Sequence, residues 1–454
     1  MPNDMSWEFL SATPGTAWPV VPEFSACASL GLLFQLDASE RWPVERLERE
    51  QSQQLGILAR YAWDSVPYYR EAWAGRYDPS VVLSRERFLA LPLLTRTSLR
   101  ERYDALKGRA MPAEHGEAVE TRSSGSTGTP VRTMATGVTR LFWEAITLRE
   151  HAWHRRNLAG KLAVIRRGVT AGTAPSWGKA TAGLVRTGEA VMLDVDGDIG
   201  TQLDWLERQA PAYLFTYPSL AAELAKESLV RGRRLAGLLG VRTLGESLSP
   251  DLRALCREAW GVPLVDAYSA EEVGYIALQC PQHEHYHVQA ESLLVEVLDE
   301  RGAPCPPGQI GRVVVTDLHN FATPLIRYDI GDYAEVGGPC SCGRTLPVLR
   351  RIAGRVRNVL LSADGKRYWP AFGSRALADI AAIRQHQFVQ KSFGLVEARL
   401  VTHAPPAPEQ EEALRKRIQS RLPPGIEVKI VYCREIPRSA SGKFEDFISE
   451  VAAP

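Results

Sequence analysis

Cysteine is scarce in this chain, seven residues in 454. Their odd number and thin scatter exclude a disulfide framework and leave each thiol to stay free or to bind metal. Charge of one sign is also missing: 54 Lys and Arg stand against 53 Asp and Glu, a formal net charge of +1. That balance offers no electrostatic footprint for nucleic acid or an anionic membrane surface. No apolar run approaches the ~18 residues that a membrane-spanning helix needs. The opening Met-Pro-Asn-Asp-Met-Ser-Trp-Glu has no basic stretch followed by an apolar one, so a secretory leader is not expected. These absences predict a cytoplasmic protein without nucleic-acid or membrane partners. No internal repeat or low-complexity tract stands out, and no GxxxxGK[ST] phosphate loop occurs. What remains is an ordinary globular composition, 45% hydrophobic and 24% charged, long enough for two or more domains.

The most informative segment is Thr121 to Pro130. Within it Ser123, Ser124, Gly125, Ser126, Thr127 and Gly128 bring four hydroxyls and two glycines together. Backbone N–H groups and short hydroxyl side chains of this kind wrap phosphate oxygens. The flanks, Ala118 to Thr121 and Val131 to Met134, are strand-like, so the loop is expected to join two strands rather than a strand and a helix.

Along the rest of the chain the patterns divide into regions. The first forty or so residues, with Pro14, Pro19 and Pro22, show no sustained period and read as irregular. From about Pro43 to Ala74, Leu47, Leu55, Leu58 and Tyr61 recur with amphipathic helical spacing, interrupted from Trp63 to Arg70. Between about Ile199 and Gly274 helices alternate with short strands at Tyr213–Thr216, Val241–Leu244 and Leu264–Tyr268, the signature of a parallel sheet with crossover helices. Ligands in such sheets bind at the carboxyl ends of strands, here marked by Thr216-Tyr217, Gly245-Glu246-Ser247 and Tyr268 to Glu272. From about Tyr286 to Val336 the strands alternate as in a β-rich subdomain. After Gly354 a hairpin turning at Ala363 to Lys366 leads into a small α+β domain.

The order of Thr121 to Pro130, Gly245-Glu246, Tyr268-Ser-Ala-Glu-Glu272, Tyr328-Asp-Ile-Gly-Asp332, Arg351-Ile-Ala-Gly-Arg355 and Pro437-Arg-Ser-Ala-Ser-Gly-Lys443 resembles the adenylate-forming superfamily. Leu58 to Arg70, Leu91-Pro-Leu-Leu-Thr-Arg96 and Pro324-Leu-Ile-Arg-Tyr328 are similar to its phenylacetate–CoA ligase branch, which also holds coenzyme F390 synthetase and capsule-biosynthesis relatives. The resemblance runs from about residue 45 to 450. It implies an α/β protein: an N-terminal arm (1–44), a large ATP- and acyl-binding domain (45–355) of parallel and mixed sheets with a β-rich subdomain, and a small mobile C-terminal α+β lid (356–454).

It also implies ATP-dependent activation of a small carboxylic acid to an acyl-adenylate with release of pyrophosphate. Transfer to coenzyme A would follow, or to an amine or carrier protein. A nucleotide-binding regulatory homologue without catalysis is the alternative from another class, and the retained Lys443 argues against it. By the resemblance, Ser123 to Gly128 grip phosphates, Thr127 takes part in catalysis, and Glu272 is the one carboxylate that Mg²⁺ needs beside phosphate and water oxygens. Tyr268 stacks on adenine with Gly245 and Glu246 beside the base, and Ser269 belongs to the same nucleotide-binding set. Asp332 and Arg355 address the ribose, and Lys443 bridges the substrate carboxylate and the α-phosphate as charge moves in the transition state.

The chain departs from the family pattern in two places. Glu271 stands where a hydroxyl is usual, so either Glu271 points away or the metal site is more acidic. Arg357 and Asn358 replace an acidic hinge, and Leu361 to Lys366 replaces a glycine-rich stretch, which leaves the acyl acceptor open. Trp177, Phe215 and Tyr217 are candidates for walls of an acid pocket.

Cys340-Ser-Cys342 reads as half of a structural zinc site, with Cys280 and a histidine as the other half. His287, at the start of a strand, is the favoured fourth ligand and His283 its competitor. Cys27, Cys256, Cys305 and Cys433 lack partner spacing.

Overall fold

Local signals place many of the element ends. Thr136 and Thr139 form reciprocal side-chain caps that start the helix Gly137–Trp153, and the Asp198 carboxylate accepts the Thr201 N–H to start Ile199–Gln209. Pro218 occupies the first turn of Pro218–Val230. Leu252–Trp260 buries Leu252, Leu255, Cys256, Ala259 and Trp260, a single helical face, and stops at Gly261 with φ 74°. The computed structural model describes residues 7–123, 130–370, 372–373, 375, 377–402, 404–439 and 441–451.

These residues form two compact units. The first comprises Met1–Ala159, Ala174–Glu189 and Ala267–Ile352, and the second Gly160–Thr173, Ala190–Asp266 and Ala353–Pro454.

In the first unit Leu293–Leu298, Ile310–Asp317 and Tyr328–Val336 pair as an antiparallel meander. Val348–Arg355 pairs with Tyr286–Val288, and that strand with Gly274–Gln279. Val119–Arg122 and Arg132–Ala135 make a separate antiparallel ribbon, so the phosphate-type loop does join two strands. Its residues 124–129, which include Ser124, Gly125, Ser126, Thr127 and Gly128, lie outside the described residues.

The N-terminal region corrects the expectation of irregular chain. Phe24–Ser39 is a helix, and its Ser29 hydroxyl donates to Glu144 at 3.0 Å. Ala26 and Leu33 bury themselves with Trp7, Leu148, Leu158 and Leu184. The missing period has a simple cause: apolar residues run all round this helix, and Phe24 and Phe34 stay exposed while Leu33 and Leu36 are buried. The helix Val44–Ser65 follows as the spacing predicts, ending before Pro67.

In the second unit Ala190–Leu193, Leu162–Ile165, Tyr213–Thr216 and Gly240–Leu244 lie side by side and parallel. The crossover helices cover them with a core that includes Leu203, Leu206, Leu220, Leu224, Leu255 and Trp260. Farther along the chain Ile383–Ser392 pairs antiparallel with Leu395–Thr402, and these two pair parallel with Phe447–Ser449 and Glu427–Tyr432 respectively. The helix Pro408–Gln419 closes a second core there through Leu414 and Ile418. Leu360–Leu361 and Arg367–Tyr368 form the expected hairpin.

Candidate active site and metal centre

In the second unit, Gly245 and Glu246 follow the carboxyl end of the parallel strand Gly240–Leu244, where open α/β sheets present ligand-binding groups. The Lys443 segment is anchored there. The Glu246 carboxylate accepts the Phe444 N–H at 2.7 Å, the Ser219 N–H at 2.9 Å and the Ser219 hydroxyl at 3.1 Å. Its side chain is 4% exposed, and the Arg438 guanidinium lies 3.8 Å away. Burial pushes this carboxyl above its ordinary range, against the pull of Arg438 and of the donated hydrogen bonds. Arg438 also bonds the Ser219 hydroxyl at 2.6 Å and Glu223 at 2.7 Å. The Ser439 N–H and hydroxyl both donate to the Lys443 carbonyl, which tightens the turn carrying the lysine. Gly245 has φ +89°, and a methyl group there would meet Lys443 Cε at 3.3 Å, so both conformation and space call for glycine.

Glu246, read from sequence as a neighbour of the base, thus spends its carboxylate on the lysine segment. The hinge is tied to the same stretch: Arg357 pairs with Glu445 at 2.6 Å, and the Asn358 amide donates to the Phe447 carbonyl at 2.6 Å. Asn358 also accepts the Arg355 N–H at 2.9 Å.

In the first unit, Ser123 is the last described residue before the loop, and its hydroxyl accepts the Val131 N–H at 3.0 Å. Glu272 is buried and pairs with Arg96 at 3.0 Å. Glu271 is exposed. Arg96 also donates to the Ser123 hydroxyl at 3.2 Å, joining two residues that the sequence placed in one function. Arg96 itself was missed there. It belongs to Leu91–Arg96, a stretch noted only for its resemblance, and nothing in its spacing pairs it with Glu272. Tyr268 donates its hydroxyl to Asp332 at 2.7 Å, both groups being buried. Ser269 follows at an irregularity in the strand pairing.

The acid-pocket candidates fall in different units. Trp177 packs against the Trp7–Leu184 cluster with its ring edge-on to His151. Phe215 lies under Arg166 and Arg242 at 4.9 and 4.6 Å. Tyr217 is buried in the core of the second unit, its hydroxyl 3.4 Å from the Ser441 carbonyl.

The cysteine and histidine half-sites meet in the first unit. Ligand atoms of Cys280, His285, His287 and Cys340 all lie within 4.8 Å of one another. Cys280 and Cys340 sulfurs are 3.8 Å apart, matching the roughly 3.8 Å between two thiolates on one tetrahedral zinc. Cys342 Sγ is 3.3 Å from His287 Nε2, and His285 Nε2 is 3.0 Å from Cys340 Sγ. His283 instead bonds the Ser341 hydroxyl at 3.0 Å. His285 therefore joins the favoured His287, and the competitor His283 does not. The available signal was the alternation of 285 and 287, which puts both on one side of an extended chain.

Burial takes the His287 imidazole down to about 4, leaving it neutral as a metal ligand must be. Burial also pushes the Cys280 and Cys340 thiols up, Cys340 to about 12. Such a pocket tolerates thiolates once a divalent cation compensates them, so the donor set suits zinc. Cys256, by contrast, is buried in the apolar core of the second unit, a packing residue.

A family model described as the CapK C-terminal domain matches residues 360–450. The chain is 28% identical over 445 residues to a phenylacetate-coenzyme A ligase of Thermus thermophilus, covering 89% of this chain and 96% of the relative. It is 24% identical to the enzyme of that name from Escherichia coli, with 89% and 95% covered. Among solved structures, a 2-hydroxyisobutyryl-CoA ligase in complex with R3-HIB-AMP superposes with a TM-score of 0.72 at 23% identity, over 91% of each chain. This likeness shows a mixed α/β fold with a large N-terminal and a small C-terminal domain. With the motif order above, the chain is thus similar over most of its length to enzymes that bear the name phenylacetate-coenzyme A ligase.

Proposed function

We propose that the protein activates a small carboxylic acid with ATP, giving an acyl-adenylate and pyrophosphate, and then transfers the acyl group to coenzyme A with release of AMP. The observation that carries the reading is the anchoring of the Lys443 turn on Glu246, beside Gly245 at the end of a parallel strand. A protein that only bound nucleotide would have no use for a lysine held this way. Relatives that bear the name phenylacetate-coenzyme A ligase support the acid–thiol class. We further propose a division into residues 45–355 and a lid at 356–454, preceded by an arm at 1–44; the family match over 360–450 supports the second boundary. A cytoplasmic location fits the composition.

In this reading Ser123 with its loop, Gly245, Glu246, Tyr268, Ser269, Asp332 and Arg355 are assigned to the nucleotide, and Glu272 and Lys443 to the chemistry. Lys443 supplies the positive charge that stabilises the carboxylate oxygen as it attacks the α-phosphate. Glu272 would hold Mg²⁺, which neutralises phosphate charge when bound. Cys280, Cys340, Cys342, His285 and His287 offer five donors to a structural zinc, which would tie the turn at Cys340–Cys342 to the hairpin at 279–287.

Pyrophosphate release across a panel of aryl, short-chain and amino acids, with and without coenzyme A, tests the reading. An acid-dependent release followed by thioester formation is expected. Release without thioester, but with transfer to an amine or a carrier protein, would replace coenzyme A as acceptor; no release with any acid would favour the non-catalytic homologue. Lys443→Ala should lower adenylation about 10²–10³-fold while ATP still binds.

A further inference from the structure

Two stretches that mark the branch, Leu91–Arg96 and Pro324–Tyr328, have no role in the reading above. In the first unit they are stitched together. The Leu94 N–H donates to the Arg327 carbonyl at 2.9 Å, and the Leu94 carbonyl accepts the Asp329 N–H at 2.9 Å. Arg327, at φ 51°, donates from its buried guanidinium to the carbonyls of Leu89 and Leu91 and pairs with Glu296 at 2.9 Å. Thr95 then caps the helix Arg96–Glu101 by accepting the Ser98 N–H. The outcome of this scaffolding is the placement of one side chain. Arg96 reaches Glu272 with one guanidinium nitrogen at 3.0 Å and Ser123 with the other at 3.2 Å.

A carboxylate as buried as Glu272, 6% exposed, calls for a charged partner. Arg96 supplies it, yet an ion pair taken out of water adds little net stability. Stability alone does not account for so much backbone hardware behind one arginine, nor for its second arm on the residue that opens the phosphate-type loop. The guanidinium is planar, permanently charged and suited to two-pronged contact with phosphate. We propose that Arg96 is a ligand of the nucleotide's β- and γ-phosphates, with two alternative partnerships: the Glu272 carboxylate, or phosphate oxygens once a divalent cation takes that carboxylate. The proposal rests on the nucleotide-binding reading and adds a residue to it.

Equilibrium binding of ATP, AMP and inorganic pyrophosphate, with Mg²⁺ present, distinguishes this role from a structural prop. Arg96→Gln should weaken ATP and pyrophosphate on the order of 10–100-fold while AMP stays within about twofold, and Arg96→Lys should fall between. Because Arg96→Gln leaves Glu272 without its cation, the double variant R96Q/E272Q restores a neutral pair. It should melt near the wild-type temperature and bind ATP more weakly than E272Q, with AMP unchanged. Equal losses for ATP and AMP, or unchanged ATP affinity, would overturn the proposal. A wild-type protein that binds neither ATP nor AMP would instead overturn the nucleotide reading itself, before any substitution is made.

Discussion

Glu246→Gln removes one charge from the carboxylate that holds the lysine turn and changes little else. In the wild type Oε1 accepts Phe444 N–H and the Ser219 hydroxyl, while Oε2 accepts Ser219 N–H. An amide keeps one acceptor and turns the other position into a donor facing an N–H. At least one charge-assisted hydrogen bond is lost, which costs about 1.5–3 kcal/mol when the partner is ionised. If that bond sets the population of the held turn, the held fraction relative to the released one falls roughly 10- to 150-fold. Arg438 keeps its pairing with Glu223, so the segment is loosened rather than unfolded. Acid- and ATP-dependent pyrophosphate exchange is the assay. The expected result is a lower kcat with little change in KM for ATP, together with faster tryptic cleavage near Arg438 and Lys443. A residue serving the base would behave differently: KM for ATP would rise, kcat would hold, and cleavage would not change. That outcome, or an unaltered variant, would refute the anchoring role. Since the bonds to Glu246 come from donors, its ionised form is the one that holds, and wild-type exchange should fall as pH drops through a carboxyl value that burial has raised.

Three other outcomes are expected. Glu272→Gln should lose Mg²⁺-dependent adenylation and Glu271→Gln should keep it, because the second side chain is exposed; the reverse result would shift the motif by one residue. Protein purified without chelators should carry about one zinc per chain, reduced in His285→Ala and His287→Ala and retained in His283→Ala, as elemental analysis would show; an equal loss in His283→Ala would break the assignment. Asp317 is buried and pushed up to about 7 by desolvation. Its folded form therefore holds a proton that the unfolded chain has released above an ordinary value of about 3.9, and stability should be lost as pH rises from about 4 to 7. Urea melts at pH 5 and 8 should show that dependence flattened in Asp317→Asn, and an identical slope would contradict it.

The sequence by itself determined the elements whose signals are local. Strand Tyr213–Thr216 begins and ends where the pattern puts it, and Pro218 opens the crossover helix that follows, because φ restriction and one-sided burial act over a few residues. The motif order was equally legible, since the chemistry of each motif lies in consecutive side chains. Helix Phe24–Ser39 was not, because it buries its face through contacts with Leu148 and Leu184, which no window around it contains. The same physical reason separates the site residues. Glu272 and Lys443 carry their identity in their own motifs. Which groups hold them was decided only by tertiary structure: Arg96 comes to Glu272 from 176 residues away, and Glu246 to Phe444 across 198. His285 was passed over because whether a histidine faces its neighbours depends on a strand's two-residue period and on the turn that carries His283 aside, and a list of spacings contains neither.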